Sequence, residues 1–179
     1  YGESNQTLIK GFTIRNGLGE YNSSNMALSA GGINIFNSSN PILENLINEN
    51  NFAPDNGGGL KIINDSHPIL NNVVIRENIS GASGGGFIIF ANSSVVLNNS
   101  LITKNVASSH GSAFYSGGHS VYLNNCTISD NTTELAWDGG IIMYGGALNI
   151  SNSIIWNHED YAPIIYISSG SVNANYSDI

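Results

Sequence analysis

The sequence predicts an all-β solenoid of stacked parallel strands, because it repeats at a near-constant interval and each repeat holds three short β-rich runs. The interval is clearest at one asparagine per copy, and its steps are 27, 27, 26 and 27 residues, through Asn45, Asn72, Asn99, Asn125 and Asn152. A regular step is typical of units that bury their apolar faces only against their neighbours. We expect about seven coils, and at a spacing of about 4.8 Å these rows would form a rod roughly 30 Å long.

The elements of one unit follow in order along residues 57–83. Three glycines precede a first strand at 60–63, a polar turn at 64–67 precedes a second at 68–70, and Asn71 and Asn72 precede a third at 73–75. Apolar residues at alternate positions put one face of each run inside the coil. Strands this short need the next coil as a partner, so parallel ladders between coils are expected.

The asparagine column has a physical cause. A strand-to-strand corner without a loop requires a residue near the left-handed region, which Asn tolerates better than other non-glycine residues. Gly11 occupies the matching place in the first copy. Stacking then places one amide over the next, so we expect Asn45, Asn72, Asn99, Asn125 and Asn152 to form a buried hydrogen-bonded ladder.

Composition restricts the partners. Charged residues are 10% of the chain, the net charge is −8 and there are five Lys and Arg, which argues against a nucleic-acid surface. No apolar run approaches the roughly 20 residues that cross a bilayer, so membrane insertion by this segment is not expected. The single cysteine, Cys126, excludes a disulfide framework and is expected in the core.

The repeat argues for one elongated domain over residues 1–179. The chain starts at Tyr1 without a Met or a signal peptide and stops at Ile179 within a repeat, so we expect an excised segment of a longer protein. Leucine-rich repeats overlap this period, but they require a different leucine pattern and a helical return leg. Here the return leg is rich in Gly and Ser and has no helical periodicity.

A family resemblance rests on these motifs, including the glycine starts and the apolar-x-x-Asn element of Ile102 to Asn105. The repeats resemble those of the right-handed parallel β-helices of the pectate-lyase-like superfamily and of bacterial surface proteins. The resemblance implies a right-handed coil with an Asn ladder at one corner. It also implies a secreted or cell-surface protein of bacterial origin, with further coils or domains of the parent protein as neighbours.

Enzymes of that superfamily act on the outside of the first sheet, where acidic residues and a base gather. Aligning the repeats gives two outward columns here: Asn34, Lys61, Ile88, Tyr115 and Ile142; and Phe36, Ile63, Phe90, Gly117 and Tyr144. One lysine and no carboxylate is a poor set for a calcium-dependent lyase or for the paired carboxylates of a glycosidase. We therefore expect no cofactor and no metal, with calcium arising only if the segment belongs to a lyase.

The same columns hold rings suited to binding sugars. Phe36, Phe90, Tyr115 and Tyr144 form a possible aromatic strip, and Trp137 adds a ring in a variable turn. Flat rings on a rigid face make good platforms for the apolar faces of a polysaccharide or cell-surface glycan. Alternatively, these rings are covered by a neighbouring segment, such as the insertion at 19–29, or by another part of the parent protein.

The variable turns before the first sheet offer a weaker catalytic candidate, Asp55, His110 and Asp138. His110 and Asp138 precede successive glycine starts, so stacking would bring them within about 5 Å and allow acid–base chemistry. The sequence thus favours a rigid rod with a glycan-binding or adhesive face over an enzyme. Two alternatives stay open: a fragment of a polysaccharide lyase or glycoside hydrolase, and a structural spacer.

Overall fold

The computed structural model describes residues 4, 7–20, 29–117, 119–134, 139–156 and 164–179. These residues form strands and no helix, so none lies in a helix able to cross a membrane. In chain order the strands are β1 (Leu8–Lys10), β2 (Thr13–Arg15), β3 (Ile33–Ile35), β4 (Ile42–Glu44), β5 (Ile47–Glu49), β6 (Phe52–Ala53), β7 (Leu60–Ile62), β8 (Ile69–Asn71), β9 (Val74–Arg76), β10 (Ile79–Ser80), β11 (Phe87–Ile89), β12 (Val95–Asn98), β13 (Leu101–Thr103), β14 (Val106–Ala107), β15 (Phe114–Ser116), β16 (Val121–Asn124), β17 (Thr127–Ser129), β18 (Thr132–Thr133), β19 (Ile141–Ser151), β20 (Ile154–Trp156) and β21 (Ile165–Asn175).

The strands stack in four parallel ladders that wrap a common core. The first sheet contains β3, β7, β11, β15 and the beginnings of β19 and β21. The second contains β1, β4, β8, β12, β16 and the ends of β19 and β21, which pass unbroken from one sheet to the other. The third contains β2, β5, β9, β13, β17 and β20, and the short fourth sheet contains β6, β10, β14 and β18.

The predicted parallel solenoid is confirmed, but it has about five turns rather than seven. The difference arises at the two ends of the described chain. The row of β1 and β2 has no first-sheet strand, and the row of β21 has no third-sheet strand, among the residues that the structure describes. These outer rows are therefore partial turns.

The core consists of apolar columns that repeat from one turn to the next. In the first sheet, Leu60, Phe87, Phe114 and Ile141 pair in register and are at most 1% exposed. The rings of Phe87 and Phe114 stack with centroids 4.7 Å apart and planes 9° apart. Alternation along each short strand, as the sequence predicts, points these side chains inward.

A buried asparagine ladder links the turns where the third sheet meets the fourth. The side-chain Nδ2 of Asn51 donates to Oδ1 of Asn78 at 2.9 Å, Asn78 donates to Asn105 at 3.0 Å, and Asn105 donates to Asn131 at 2.9 Å. Each acceptor Oδ1 also receives the backbone N–H of the preceding member, at 3.0–3.1 Å. All four residues are at most 1% exposed, so these amides satisfy one another inside the coil.

The predicted corner asparagines occupy a different place. Asn45, Asn72, Asn99, Asn125 and Asn152 have φ between 50° and 54°, the left-handed conformation expected of them. They are exposed, however, and one side-chain bond joins two of them, from Asn72 to Asn45 at 3.2 Å. A left-handed corner turns the side chain away from the coil, so the prediction of a buried ladder at these positions is wrong, although asparagine ladders are present.

Hydroxyl groups form a second kind of link between turns, and Cys126 replaces one of them. Ser100 Oγ accepts the backbone N–H of Val73 at 3.1 Å, and Ser153 Oγ accepts that of Cys126 at 3.0 Å. The Cys126 thiol lies in the core, as predicted, 3.5 Å from the carbonyl oxygen of Leu97. Burial raises the pKa of this thiol.

We expect Asn105→Leu to destabilise the protein strongly. The substitution removes the oxygen that accepts both the backbone and side-chain N–H groups of Asn78. Each buried group left unpaired costs about 1–3 kcal/mol, so the free energy of unfolding should fall by at least about 2 kcal/mol in urea titrations followed by circular dichroism. Asn99→Gly is the matched control, because it preserves the left-handed corner and removes no buried hydrogen bond, so it should change stability much less. Equal losses in the two variants would contradict the assignment of the buried ladder.

We expect Cys126 to be unreactive until the coil opens. A raised thiol pKa lowers the thiolate fraction at any given pH, and burial blocks access to the sulfur. A chromogenic disulfide reagent at pH 8 should therefore label the protein in denaturant but not under native conditions. Cys126→Ser should fold normally, since serine occupies the equivalent position in the adjacent turns. Rapid labelling of the native protein would contradict the buried position.

Candidate ligand-binding face

The outside of the first sheet has the two columns that the sequence predicts. Asn34, Lys61, Ile88, Tyr115 and Ile142 pair in register across successive strands, and Tyr166 continues this column on β21. The residues two positions later along each strand form the second column, which includes Phe90, Gly117 and Tyr144. Lys61 is the one charged residue among the described members of these columns.

Four rings on this face form a continuous ladder along the stacking direction. The ring centroids of Phe90 and Tyr115 are 5.4 Å apart, those of Tyr115 and Tyr144 are 5.5 Å apart, and those of Tyr144 and Tyr166 are 6.3 Å apart. The interplanar angles are 57°, 32° and 56°. We call Phe90, Tyr115, Tyr144 and Tyr166 the aromatic ladder. It includes three of the rings predicted to bind a ligand.

The aromatic ladder combines support from the sheet with open ring surface. Tyr144 and Tyr166 are 43% and 42% exposed, while Phe90 and Tyr115 are half-buried between their neighbours. Burial, with a smaller contribution from Tyr144, raises the pKa of the Tyr115 hydroxyl, so this group is protonated at neutral pH. The face thus offers rigid rings without a phenolate charge at Tyr115.

Gly117 makes the position of Phe90 possible. A Cβ atom at Gly117 would lie 2.2 Å from Cδ1 and 2.3 Å from Cε1 of the Phe90 ring. The ring therefore lies across the backbone of the next turn, where it reaches Tyr115. Gly117 does not adopt a positive φ. Glycine is therefore needed here because a side chain would overlap the Phe90 ring, and not because of the backbone conformation.

Part of the outward surface is covered, which the sequence did not reveal. Ile88 and Ile142 point outward yet are 0% exposed. Gly57 and Gly84, in the turns leading into the first sheet, lie so close to Ile88 that added Cβ atoms would be 3.0 Å and 2.9 Å from its side chain. These turns therefore fold back over Ile88, whereas the rings of Tyr144 and Tyr166 on the same face remain open.

Two other predicted rings are not in the ladder. Phe36 is 43% exposed, but it lies two turns before Phe90 and lines a separate apolar cavity of about 400 Å³ with Ile9, Ile33 and Leu43. Trp137 lies outside the described residues. Tyr166 was missed because its strand follows β19 after 24 residues instead of the usual 27. The alternation of Ile165, Tyr166 and Ile167 was the available signal.

The structure does not bring Asp55 and His110 together. Ala82 donates its N–H to the carbonyl oxygen of Asp55, and Ser109 donates to that of Ala82, so two stacking steps of about 10 Å in all separate Asp55 from the turn of His110. Asp55 Oδ2 instead accepts a hydrogen bond from the Asn56 amide. The imidazole of His110 packs edge-on against Tyr115, with centroids 6.3 Å apart.

The remaining catalytic candidate, Asp138, lies outside the described residues, so its pairing with His110 stays a prediction.

The charged groups near the first sheet are few. Burial lowers the pKa of the Lys61 ammonium, and the nearby Asp55 carboxylate partly offsets this effect. Among the described residues, no group of three or more His, Cys, Asp or Glu is placed to hold a metal ion.

Comparison with known proteins identifies the fold family. The family model described as "Right handed beta helix region" matches residues 1–177, nearly the whole chain. The chain therefore belongs to the right-handed β-helix family, in agreement with its repeats and parallel strands. No curated protein and no solved structure matches it.

We expect Gly117→Ala to displace the Phe90 ring without disturbing the backbone. The new methyl group would overlap two ring carbons, so Phe90 must adopt another rotamer and lose its contact with Tyr115. The ring resonances of Phe90 and Tyr115 should shift in aromatic NMR spectra, while the far-ultraviolet circular dichroism stays unchanged. Phe90→Leu combined with Gly117→Ala should relieve the overlap and restore any stability lost. Unchanged ring resonances would contradict the described packing.

Proposed function

We propose that this right-handed β-helix is a rigid extracellular segment that binds a glycan along its aromatic ladder. The observation that carries the proposal is the run of rings at centroid spacings of 5.4, 5.5 and 6.3 Å. These spacings are similar to the length of one hexose unit. Successive sugars of a linear chain can thus lie over successive rings, with the polysaccharide parallel to the solenoid axis.

Ring chemistry supports a sugar as the ligand. A pyranose presents C–H groups on its faces and hydroxyls at its edges, so it stacks on flat aromatic surfaces while its hydroxyls stay hydrated. Tyr144 and Tyr166 provide the most open rings and also carry hydroxyl groups of their own. The strand of Tyr144 pairs with β15 on one side and β21 on the other, and the strand of Tyr166 pairs with β19, so binding requires little additional side-chain ordering.

The charge of the face favours a neutral polymer. From β11 to β21 the two outward columns hold Ile88, Phe90, Tyr115, Gly117, Ile142, Tyr144 and Tyr166, none of which is an acidic or basic residue. The chain has a net charge of −8 and no Lys or Arg in this part of the two columns, so it would repel a polymer of uronates. Catalysis has less support, because Asp55 and His110 are separated and the ladder holds no acid–base pair.

The extracellular location belongs to the same proposal. A charged fraction of 10%, the abundance of Asn, Ser and Gly and the rod-like fold suit a segment that displays a binding face at the cell surface or in a secreted protein. Further coils or domains of a parent protein would place this face at a fixed distance from an anchor.

The test is binding of soluble polysaccharides to the wild-type chain and to a Tyr144→Ala/Tyr166→Ala variant, measured by affinity electrophoresis and calorimetry. Neutral galactomannan and β-glucan should bind the wild type, and the variant should bind at least about tenfold more weakly because two stacking platforms are lost. Tyr122→Ala is the matched control, since Tyr122 is 42% exposed but lies on the second sheet.

Three results would overturn the proposal: no binding to any polymer, equal binding by the ladder variant, or equal loss in the Tyr122→Ala control. Reducing ends should be measured in the same samples, with and without calcium. Their release by the wild type would instead support the alternative of a lyase or hydrolase fragment.

A further inference from the structure

A second surface with ligand-binding character lies at the corner between the second and third sheets. Here Asn72, Asn99 and Asn125 project from successive turns along one side of a groove of about 520 Å³. The floor is formed by Val74, Leu101 and Thr127, which pair in register on the outside of the third sheet. We call this surface the corner groove; it shares no residue with the aromatic ladder.

The amides of the corner groove differ from the other asparagine columns of the protein. The buried column uses its amides within the coil, and the half-buried column of Asn71, Asn98 and Asn124 does the same through bonds of 2.8 and 2.9 Å. By contrast, the side chains of Asn99 and Asn125 make no hydrogen bond with any other described residue and are exposed. Two neighbouring turns thus present free donors and acceptors about 4.8 Å apart.

The floor complements these amides. Val74, Leu101 and Thr127 are half-buried by the strands beside them and expose aliphatic surface toward the groove. Among the residues that the structure describes, no charged side chain lines the groove. A ligand that fits must therefore present an apolar face to the floor and polar groups to one edge, and it must repeat at close to the spacing of the turns.

We propose that the corner groove is a second glycan site, which takes a linear, neutral polysaccharide along the solenoid axis. Sugar C–H groups contact Val74 and Leu101, and hydroxyls exchange hydrogen bonds with the amides of Asn99 and Asn125. A neutral amide supplies no opposite charge to a desolvated carboxylate, so uronate polymers are disfavoured. The site stands on its own residues and does not depend on binding at the aromatic ladder.

The left-handed corner provides a clean way to remove the amides. Asn99 and Asn125 have φ of 50° and 53°, a conformation that glycine adopts without strain, so Asn99→Gly/Asn125→Gly deletes the side chains and keeps the backbone. Asn152→Gly is the matched control, because Asn152 is exposed with φ of 50° but does not line the groove.

The experiment is a titration of the isotope-labelled Tyr144→Ala/Tyr166→Ala variant with galactomannan and β-glucan oligosaccharides, followed by backbone amide NMR. This background removes the ladder, so failure of one proposal does not hide the other. The amide resonances of Val74, Leu101 and Thr127 should shift and saturate. Adding Asn99→Gly/Asn125→Gly should weaken this binding at least tenfold, and adding Asn152→Gly should leave it unchanged.

Absence of these shifts with either neutral probe would overturn the corner site, as would equal shifts with oligogalacturonate. Shifts that survive the double glycine substitution would also overturn it, since the amides would then take no part. If the resonances of Tyr115 and Phe90 shift in the wild type and none shifts at the corner groove, the corner site is overturned and the aromatic ladder alone binds the glycan.

Discussion

Hydrogen bonding between adjacent turns in strict register is the constraint on which the structure depends. Oδ1 of Asn78 accepts two N–H groups from Asn51, and its own amide donates to Oδ1 of Asn105 and to the carbonyl oxygen of Asn48. A shift of one residue in any turn would leave several of these buried groups without partners, each at a cost of about 1–3 kcal/mol. The apolar columns tolerate exchange among Leu, Ile, Val and Phe, whereas the amide column fixes which residues face one another.

The same register organises the outer surface. Because each strand lies directly over its equivalent, a side chain in one turn has its counterpart one row away in the next. Rings in neighbouring positions therefore make a ladder without a dedicated pocket, as Phe90, Tyr115 and Tyr144 show. Corner residues form rows for the same reason. A solenoid thus converts a repeat in sequence into a linear surface, which suits linear ligands better than compact ones.

The strand positions, the outward columns and the left-handed corners could be predicted from periodicity, because alternation along short strands and the tolerance of Asn for positive φ are local properties. Which asparagine faces inward could not be predicted in the same way. Asn72 has equivalents at 45, 99, 125 and 152, and Asn78 has equivalents at 51, 105 and 131, with His158 at the next place, so both columns consist mainly of Asn and residue type does not show which one faces inward. Asn72 is exposed and Asn78 is buried because the chain turns in different directions at the two corners. Coverage of Ile88 by the turns of Gly57 and Gly84 is likewise a tertiary effect.

The single 26-residue step identifies where the outer surface changes character. It arises in the corner between the first and second sheets, since Val121 follows Ser116 by five positions whereas Val95 follows Ile89 by six. In the next turn the corner becomes continuous strand, with φ of 132° and 73° at Gly145 and Gly146. Earlier turns instead carry left-handed, exposed residues such as Ala91 and Asn92 at this corner. Tyr144 and Tyr166 lie on β19 and β21, the two strands that pass unbroken through this corner. The most exposed rings of the ladder therefore occur in the turns in which the corner between the first and second sheets is short.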